Sequence, residues 1–369
     1  MKLLVTGANG FVGKNLIAEL QNRGFKEILK YDIDTDPGLL DTFTHECEFV
    51  IHLAGVNRPE NPEDFMKGNC DFTNNLLVSL KKNNSSAPLV MTSSIQATLN
   101  NDYGQSKKAA EDLILKYGRD NNIPVYVYRL PNVFGKWCRP NYNSAIATFC
   151  NNIANDLPIQ VNDPNVLMRL VYIDDVVNSI IDKILNRPSN VGDFVQIDQI
   201  YEFKLGEIVD LIYSFRQTRV SLNIPDMSND FVKKLYATYL SYLPVDAFSY
   251  TLRMNIDKRG SFTEFIRTPD RGQVSVNISK PHIIKGNHWH HTKNEKFLVV
   301  SGSGVIRLRK IGTDDIIEYF VSGNSLQVVD IPVGYTHNIE NIGNTDMVTI
   351  MWVNEAYNPE IPDTYFLNV

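Results

Sequence analysis

The sequence predicts two folds in one chain of 369 residues: a doubly wound parallel α/β sheet, followed by an all-β domain of antiparallel strands. Three observations carry this. Through about residue 243, short apolar strands alternate with stretches of helical spacing, the pattern of a parallel sheet covered on both faces. After Leu243-Pro244-Val245-Asp246 the helical spacing stops, and short β-rich runs separated by Gly, Pro and Asn/Asp turns replace it, as in a barrel or sandwich. The length also exceeds what a single growing core serves. The two parts fall at residues 1–243 and 250–369, with the boundary near 244–250.

Residues 2–6 read as the first buried strand. Their charged and apolar start is too short for a signal peptide and runs directly into Thr6-Gly7-Ala8-Asn9-Gly10-Phe11-Val12-Gly13. Glycines placed after a strand and before a helix are the setting a dinucleotide cradle requires. Gly7 permits the tight turn, Gly10 lets backbone approach a pyrophosphate, and Gly13 lets helix and strand pack closely. The phosphates then meet the N–H groups and positive dipole end of a helix over 11–23, which Gly24 closes. Residues 27–31 form the second strand. Asp32 ends it, 19 residues after Gly13, where a carboxylate accepts from both ribose hydroxyls of NAD; Asp34 and Asp36 nearby keep a merely solvated strand end open.

Strands follow at 49–54, 89–92 and 125–130, with helices at 69–82, 103–117, 204–217 and 230–243. Tyr103 and Lys107 stand four apart on one helix face. An ammonium beside a phenol lowers the phenol's pKa, which suits a general acid or base. Thr92-Ser93-Ser94 ends the preceding strand and offers hydroxyls that can polarise a carbonyl.

In the second part, runs at 273–278, 296–300, 304–309, 316–320 and 347–353 read as strands. In His288-Trp289-His290 the two imidazoles, two apart on a strand, face one interior. Glu295 follows, and His337 comes after Pro332-Val333-Gly334. Three imidazoles and a carboxylate suit Zn, Fe, Ni or Mn; Zn is the first choice, from borderline-soft ligands and no sign of redox chemistry. Five of the seven histidines lie after residue 281, an odd distribution for core packing.

A net charge of −6 argues against nucleic acid or anionic membrane as partner. No run approaches the ~20 apolar residues of a membrane span. Cys47, Cys70, Cys138 and Cys150 show no C-x-x-C pairing, as expected of free thiols in a reducing cytoplasm.

Residues 1–243 resemble the extended, nucleotide-sugar-modifying branch of the short-chain dehydrogenase/reductase family. Beyond the glycine turn and Tyr103-x-x-x-Lys107, the matching segments are His52-Leu53-Ala54-Gly55, Asn69 with Thr73, Asn75 and Leu76, Arg129-Leu130-Pro131-Asn132-Val133-Phe134-Gly135, and Arg169 to Asp175. The resemblance implies a Rossmann-like domain in which Tyr103 moves the proton, Lys107 modulates it and binds the cofactor ribose, and Ser94 or Thr92 hydrogen-bonds the carbonyl. It places Asn9, Phe11, Val12, Leu53, Ala54, Gly55 and Pro131 at the cofactor, and Asn132 and Arg169 at the substrate, Arg169 on its pyrophosphate. Ser94 and Tyr103 are only nine residues apart, a shorter loop than the family's.

Residues 250–369 resemble the cupin superfamily: Gly286, His288, His290, Glu295 and Gly302 match its first motif, and Pro332, Gly334, His337 and Asn341 its second. This implies a double-stranded β-barrel, commonly dimeric, with His288, His290, Glu295 and His337 around a metal. Some cupins epimerise 4-keto sugar nucleotides with an R-G-x-H base; Lys285-Gly286-Asn287-His288 occupies that segment, and Asp257-Lys258-Arg259-Gly260-Ser261-Phe262 resembles their D-x-R-G-x-F opening. A metal-bound His288 is not a general base, which leaves Tyr335, Lys285 or a metal-bound water.

The order reductase-then-cupin resembles bifunctional enzymes of capsular polysaccharide and O-antigen pathways. It implies C3 epimerisation of a UDP-2-acetamido-2,6-dideoxy-4-ketohexose, then reduction at C4 with NADPH to UDP-2-acetamido-2,6-dideoxy-β-L-talose, precursor of UDP-N-acetyl-L-fucosamine. NADPH here follows the family, whereas Asp32 alone favours NAD. The alternative keeps the reductase and makes the cupin a metal-stabilised binding and dimerisation module. Either way a cytoplasmic homodimer acting on a UDP-sugar is expected, with no nucleic acid or membrane partner.

Overall fold

The computed structural model describes residues 1–186 and 193–369. The chain divides into two compact units: Met1–Tyr213 with Asp230–Pro244, and Ser214–Asn229 with Val245–Val369.

The first unit holds strands β1 (Leu3–Thr6), β2 (Ile28–Tyr31), β3 (Phe49–His52), β4 (Leu89–Ser94), β5 (Val125–Leu130), β6 (Asn132–Phe134), β7 (Leu167–Tyr172), β8 (Asp193–Val195) and β9 (Tyr201–Lys204). Six of them form a parallel sheet in the order β2-β1-β3-β4-β5-β8, and β6-β7-β9 form a small separate one. All four residues of β1 and of β3 are buried, because both faces of the sheet are covered. Leu3 and Val5 face one core with Leu16, Ile17 and Leu20 of helix Phe11–Asn22 and Val176, Ile180 and Ile184 of helix Ile173–Asn186. Leu4 faces the other, with Leu76 and Leu80 of helix Phe72–Lys82 and Ala110 and Ile114 of helix Asp102–Asn121. The parallel α/β sheet expected from the alternating pattern is therefore present. Helices Leu39–Glu46, Ala145–Ala154 and Ile173–Asn186 add to those expected, and the helix expected from residue 69 begins as a π-helical turn at Met66–Asp71.

The second unit is antiparallel throughout its named ladders. Strands β10 (Asn255–Asp257), β11 (Gly260–Thr268), β12 (Gly272–Ser279), β13 (Ile284–Trp289), β14 (Glu295–Ser301), β15 (Ser303–Lys310), β16 (Ile316–Ser322), β17 (Val328–Ile331), β18 (Tyr335–Asn341), β19 (Met347–Val353) and β20 (Tyr365–Phe366) form two sheets, β10-β11-β12-β19-β14-β17 and β16-β15-β18-β13-β20. Phe297 and Val299 of β14, Val329 and Ile331 of β17 and Met347 of β19 meet Ile306 and Leu308 of β15 and Ile339 of β18 in one core shared by both sheets. Strand alternation decides which residues face it: Glu295, Phe297 and Val299 share one side of β14, and Tyr335, His337 and Ile339 one side of β18. Residues Ser214–Asn229 join this unit through Arg267, whose N–H reaches Leu222 O (2.8 Å) and whose carbonyl accepts from Ile224 N (2.8 Å). No helix among the described residues is long and apolar enough to cross a membrane.

Candidate functional site

In the first unit the glycine turn closes tightly on the sheet. Gly7 has φ +69°, and a Cβ there would lie 2.7–2.8 Å from Ala54 N and Cα and the Leu53 carbonyl carbon. A Cβ on Gly13 would fall on Gly7 O and reach within 2.7 Å of Ala8 O. Helix Phe11–Asn22 starts from Gly10 with no side-chain cap and no acidic residue in its first turn, so its opening N–H groups suit an anion. The side chains of Phe11 and Val12 pack against the core instead, leaving their backbone for that role. These features fit a dinucleotide pyrophosphate. Asp32 braces the turn: one carboxylate oxygen accepts from Asn9 N (2.7 Å) and the other from Ile33 N (2.8 Å).

Beneath the turn runs a buried relay that inspection of the sequence does not reveal. Thr73 Oγ1 donates to Asn69 O (2.5 Å), so it must accept from His52 Nε2 (2.9 Å). That tautomer leaves Nδ1 to accept from Thr6 Oγ1 (2.7 Å), which itself accepts from Ala54 N (3.4 Å). Burial, with Lys107 adding to it, pulls His52 down to about 3, so the imidazole is neutral. Asn69 continues the chain, holding both polar backbone groups of Val56 (2.9 and 3.0 Å) and donating to Ser106 Oγ (3.0 Å), which donates to Tyr103 O (2.8 Å). The only hint of this in the sequence is the placement of His52, Asn69 and Thr73 in family-like segments.

Tyr103 and Lys107 both lie on helix Asp102–Asn121, capped by Asn101, with Lys107 Nζ 5.9 Å from the Tyr103 ring centroid. Tyr103 Oη donates to Asn57 Oδ1 (3.0 Å) and also engages Ser94. Burial pushes the phenol above its ordinary value against the pull of Ser94; the lowering expected from the neighbouring ammonium does not prevail. Lys107 is 6% exposed, and burial brings it down to about 8 against the pull of Glu111. Gly55 makes room for it, since a Cβ there would sit 2.7 Å from Lys107 Nζ. Ser93 is committed elsewhere, donating to Glu111 Oε1 (2.7 Å), and Glu111 also takes a bidentate pair from Arg129 (2.9 and 2.6 Å). Thr92, half-buried, lies on β4 opposite Tyr128. Pro131 is half-buried between β5 and β6. The exposed Asn132 donates to Arg169 O (3.3 Å), and Arg169 Nε pairs with Glu202 (3.0 Å). Asn132 and Arg169 are thus neighbours.

In the second unit His288, His290, Glu295 and His337 present ligand atoms all within 4.8 Å of one another. A bulge sets this up. Asn287 (φ +61°) is an extra residue in β13, so that Gly286 faces Asn338 and His288, rather than Asn287, faces His337. Glu295 Oε2 stands 3.0 Å from His337 Nε2 and 3.6 Å from His290 Nε2. These buried atoms, and His337 Nδ1, find no well-formed hydrogen bond among the described residues. His290 Nδ1 donates to Asp363 O (2.6 Å), which points its Nε2 toward the carboxylate. Burial, reinforced by His337, brings His288 down to about 4. Burial raises Glu295, but His290 and His337 outweigh it and hold the carboxyl at about 2. Burial lowers His290 too, but Glu295 outweighs it and raises the imidazole in turn. Imidazoles that share protons with a buried carboxylate in this way present the same atoms to a divalent cation, and three nitrogens with one oxygen suit Zn. His288, Glu295 and His337 open onto a cavity of about 620 Å³ that Lys285, Asn277 and Arg259 also line. Lys285 Nζ donates to Asn277 Oδ1 and Ile278 O (both 2.8 Å). Tyr335 does not line that cavity; it packs against the core.

Comparison with known proteins gives two family matches: the NAD dependent epimerase/dehydratase family over residues 3–197, and the polysaccharide biosynthesis C-terminal domain over residues 255–365. A Pseudomonas aeruginosa protein named UDP-2-acetamido-2,6-beta-L-arabino-hexul-4-ose reductase is 45% identical over 369 residues, covering 100% of this chain and 99% of that one. Among solved structures, the capsular polysaccharide assembling protein CapF from Staphylococcus aureus is 55% identical over 100% of both chains, with a TM-score of 0.94. A CapF structure with the inhibitor 3-isopropenyl-tropolone matches over 100% of both chains at 51% identity and a TM-score of 0.89.

Proposed function

This chain belongs to the NAD dependent epimerase/dehydratase family, and from that premise we propose a bifunctional nucleotide-sugar enzyme of capsular polysaccharide synthesis. Residues 250–369, as a cupin-type domain, invert C3 of a UDP-2-acetamido-2,6-dideoxy-4-ketohexose. Residues 1–243 then reduce its C4 ketone with NADPH to UDP-2-acetamido-2,6-dideoxy-β-L-talose, on the way to UDP-N-acetyl-L-fucosamine. The observation carrying this reading is full-length similarity to a protein named as a hexul-4-ose reductase, in a chain that also has a four-residue His/Glu cluster, three members of which open onto a cavity. We place it in the cytoplasm as a homodimer.

When bound, the nicotinamide supplies a hydride and the divalent ion, Zn by preference, a Lewis-acid charge. Gly7, Gly10 and Gly13, with the backbone of Asn9, Phe11 and Val12, admit the pyrophosphate to the helix N-terminus; Leu53, Ala54, Gly55 and Pro131 line the rest of the cofactor's path. Asp32 supports the turn by accepting from Asn9 N, a task that lets an acid stand there in an NADPH enzyme. Tyr103 gives its proton to the C4 oxygen as hydride reaches C4, and a raised phenol pKa keeps that proton available. Ser94, beside Tyr103, hydrogen-bonds the carbonyl in preference to Thr92. Lys107 holds the cofactor ribose, and Asn132 and Arg169 take the substrate, Arg169 at its pyrophosphate. In the second domain His288, His290, Glu295 and His337 hold the ion. Lys285 is the candidate base for the C3 proton, which the adjacent ketone acidifies: it lines the cavity, and burial holds its ammonium below the usual lysine range. One proton leaves C3 and one returns to the opposite face, so the step needs no oxidant.

Proton NMR of the 4-keto sugar nucleotide in D₂O tests this. Deuterium should enter C3 without any nicotinamide, and reduction at C4 should follow only when NADPH is added. The hydrogen bonds that already occupy Lys285 Nζ favour a second reading, in which the second domain only binds and pairs subunits. No exchange at C3 with NADPH still consumed would leave that reading standing.

A further inference from the structure

The last residues of the chain fold back onto the histidine cluster. β20 pairs with β13, Phe366 opposite His288 and Tyr365 opposite Trp289. Leu367 N donates to Asn287 O (3.0 Å), the Thr336 hydroxyl donates to Leu367 O, and Arg309 reaches Asn368 O (2.5 Å). At the other end of this strap, Asp363 makes a denser set of contacts. Its Oδ1 accepts from His291 N (3.0 Å), and its Oδ2 from Thr292 N (2.9 Å), Thr292 Oγ1 (3.0 Å) and Lys293 N (3.1 Å). Its main-chain oxygen accepts from His290 Nδ1 (2.6 Å). Asp363 holds these contacts at φ +41°, a left-handed conformation that persists for a non-glycine residue only where the surroundings over-determine it.

We propose that Asp363 is a positioning residue for the metal centre, gripping the turn after His290 with its carboxylate so that its own carbonyl fixes the tautomer and orientation of the His290 ring. The inference rests on reading the four-residue cluster as a metal site. A histidine ligand needs its second nitrogen committed, because a ring that can rotate or exchange tautomers presents the metal-binding lone pair only part of the time. The carbonyl itself is backbone and survives mutation. The carboxylate, with four hydrogen bonds to residues 291–293, is what keeps it beside His290.

The test is Zn²⁺ affinity of the full chain, by competition with a chromophoric chelator, alongside the visible spectrum of the Co²⁺-loaded protein. Loss of a partner of this kind typically weakens binding about 10- to 100-fold. Asp363→Ala should weaken Zn²⁺ by at least about tenfold on that scale and shift the Co²⁺ bands, with Asp363→Asn, which keeps one acceptor oxygen, in between. Arg309→Gln, which releases the same strap at Asn368, should leave both readouts unchanged; equal losses in Arg309→Gln and Asp363→Ala would overturn the proposal in favour of simple docking of the strap. Should Asp363→Ala fail to fold, Asp363→Asn and Thr292→Val carry the measurement, each expected to weaken Zn²⁺ binding. Affinity and spectrum unchanged in folded Asp363 variants sink the proposal while leaving the metal site intact. A natural chain that takes up no Zn²⁺ overturns the metal reading as well.

Discussion

At the residue scale the proposed reductase site rests on the half-buried Tyr103 and the buried Lys107, whose pKa values burial has moved in opposite senses. Tyr103 is pushed up and Lys107 down to about 8. A reduction needs a protonated phenol and a charged lysine, and both conditions hold at neutral pH. Hydride transfer should therefore be level up to about pH 8 and fall above it as Lys107 loses its proton, which stopped-flow absorbance of the reduced nicotinamide would follow. Tyr103→Phe should cut that step by about 10²–10⁴-fold while sparing deuterium exchange at C3. His52 makes the complementary case for stability. Its folded pKa is about 3 and its ordinary value 6.5, so between those values the unfolded chain binds the extra proton. Stability should fall as pH drops from about 6.5 toward 3. His52→Gln, which keeps a donor and an acceptor but cannot titrate, should flatten that slope in denaturant titrations, at a cost of about 1–3 kcal/mol near pH 8. The Tyr103–Lys107 pair is legible in the sequence because helical periodicity alone puts both on one face. The His52 relay is not, because Thr6, His52, Thr73 and Asn69 are joined only once three separate elements pack.

At the element scale, the two glycine devices differ in how far they can be read. Gly7 and Gly13 follow from a strand–turn–helix pattern, and the structure gives the reason for each in the backbone it would strike. Gly13→Ala should push the helix off β1 and lose dinucleotide binding in fluorescence titration, together with a lowered Tm. The bulge in β13 is different. Alternation alone pairs His288 with His290 but says nothing of which residue of the next strand faces them. With strict pairing after Gly286–Asn338, Asn287 would face His337 and His288 would point to the other side of the sheet. The extra residue turns His288 onto the side where His337 and Glu295 already face. Deleting Asn287 leaves His288 directly after Gly286 and so still opposite His337 if the ladder re-forms without the bulge. Such a chain should therefore keep its Zn²⁺ by elemental analysis, and loss of the metal from a folded deletion variant would count against this account of the bulge. Helix Ile173–Asn186 also goes unpredicted, although its apolar residues recur at helical spacing, because Arg169–Asp175 at its start reads first as a substrate-site motif. The segment Ser214–Asn229 belongs to the second unit for a reason outside local pattern: its backbone partner is Arg267, far along the chain.

At the scale of the whole molecule, the chemistry itself supplies a reason for both units to occur in one polypeptide. A ketone at C4 acidifies the hydrogen on C3, and a charge or donor near its oxygen stabilises the developing enolate. Hydride delivery to C4 removes that acidity and locks whatever configuration C3 then has. In the proposed sequence inversion therefore precedes reduction, and a product reduced too early cannot be corrected. The consequence is measurable in the product, not only in a rate. With Glu295→Gln, which replaces the carboxylate facing His290 and His337 by a neutral amide, the second domain should lose exchange at C3 while the Tyr103 site remains intact. Incubated with NADPH in D₂O, that variant should yield either no product or one reduced at C4 without deuterium at C3, whereas the natural chain should yield product deuterated there. Deuterium at C3 in the variant's product would place the exchange outside the histidine cluster. If exchange also persisted with Lys285→Ala added, the C3 proton would have to be moved by residues of the reductase half, and the proposed division of labour between residues 1–243 and 250–369 would fall.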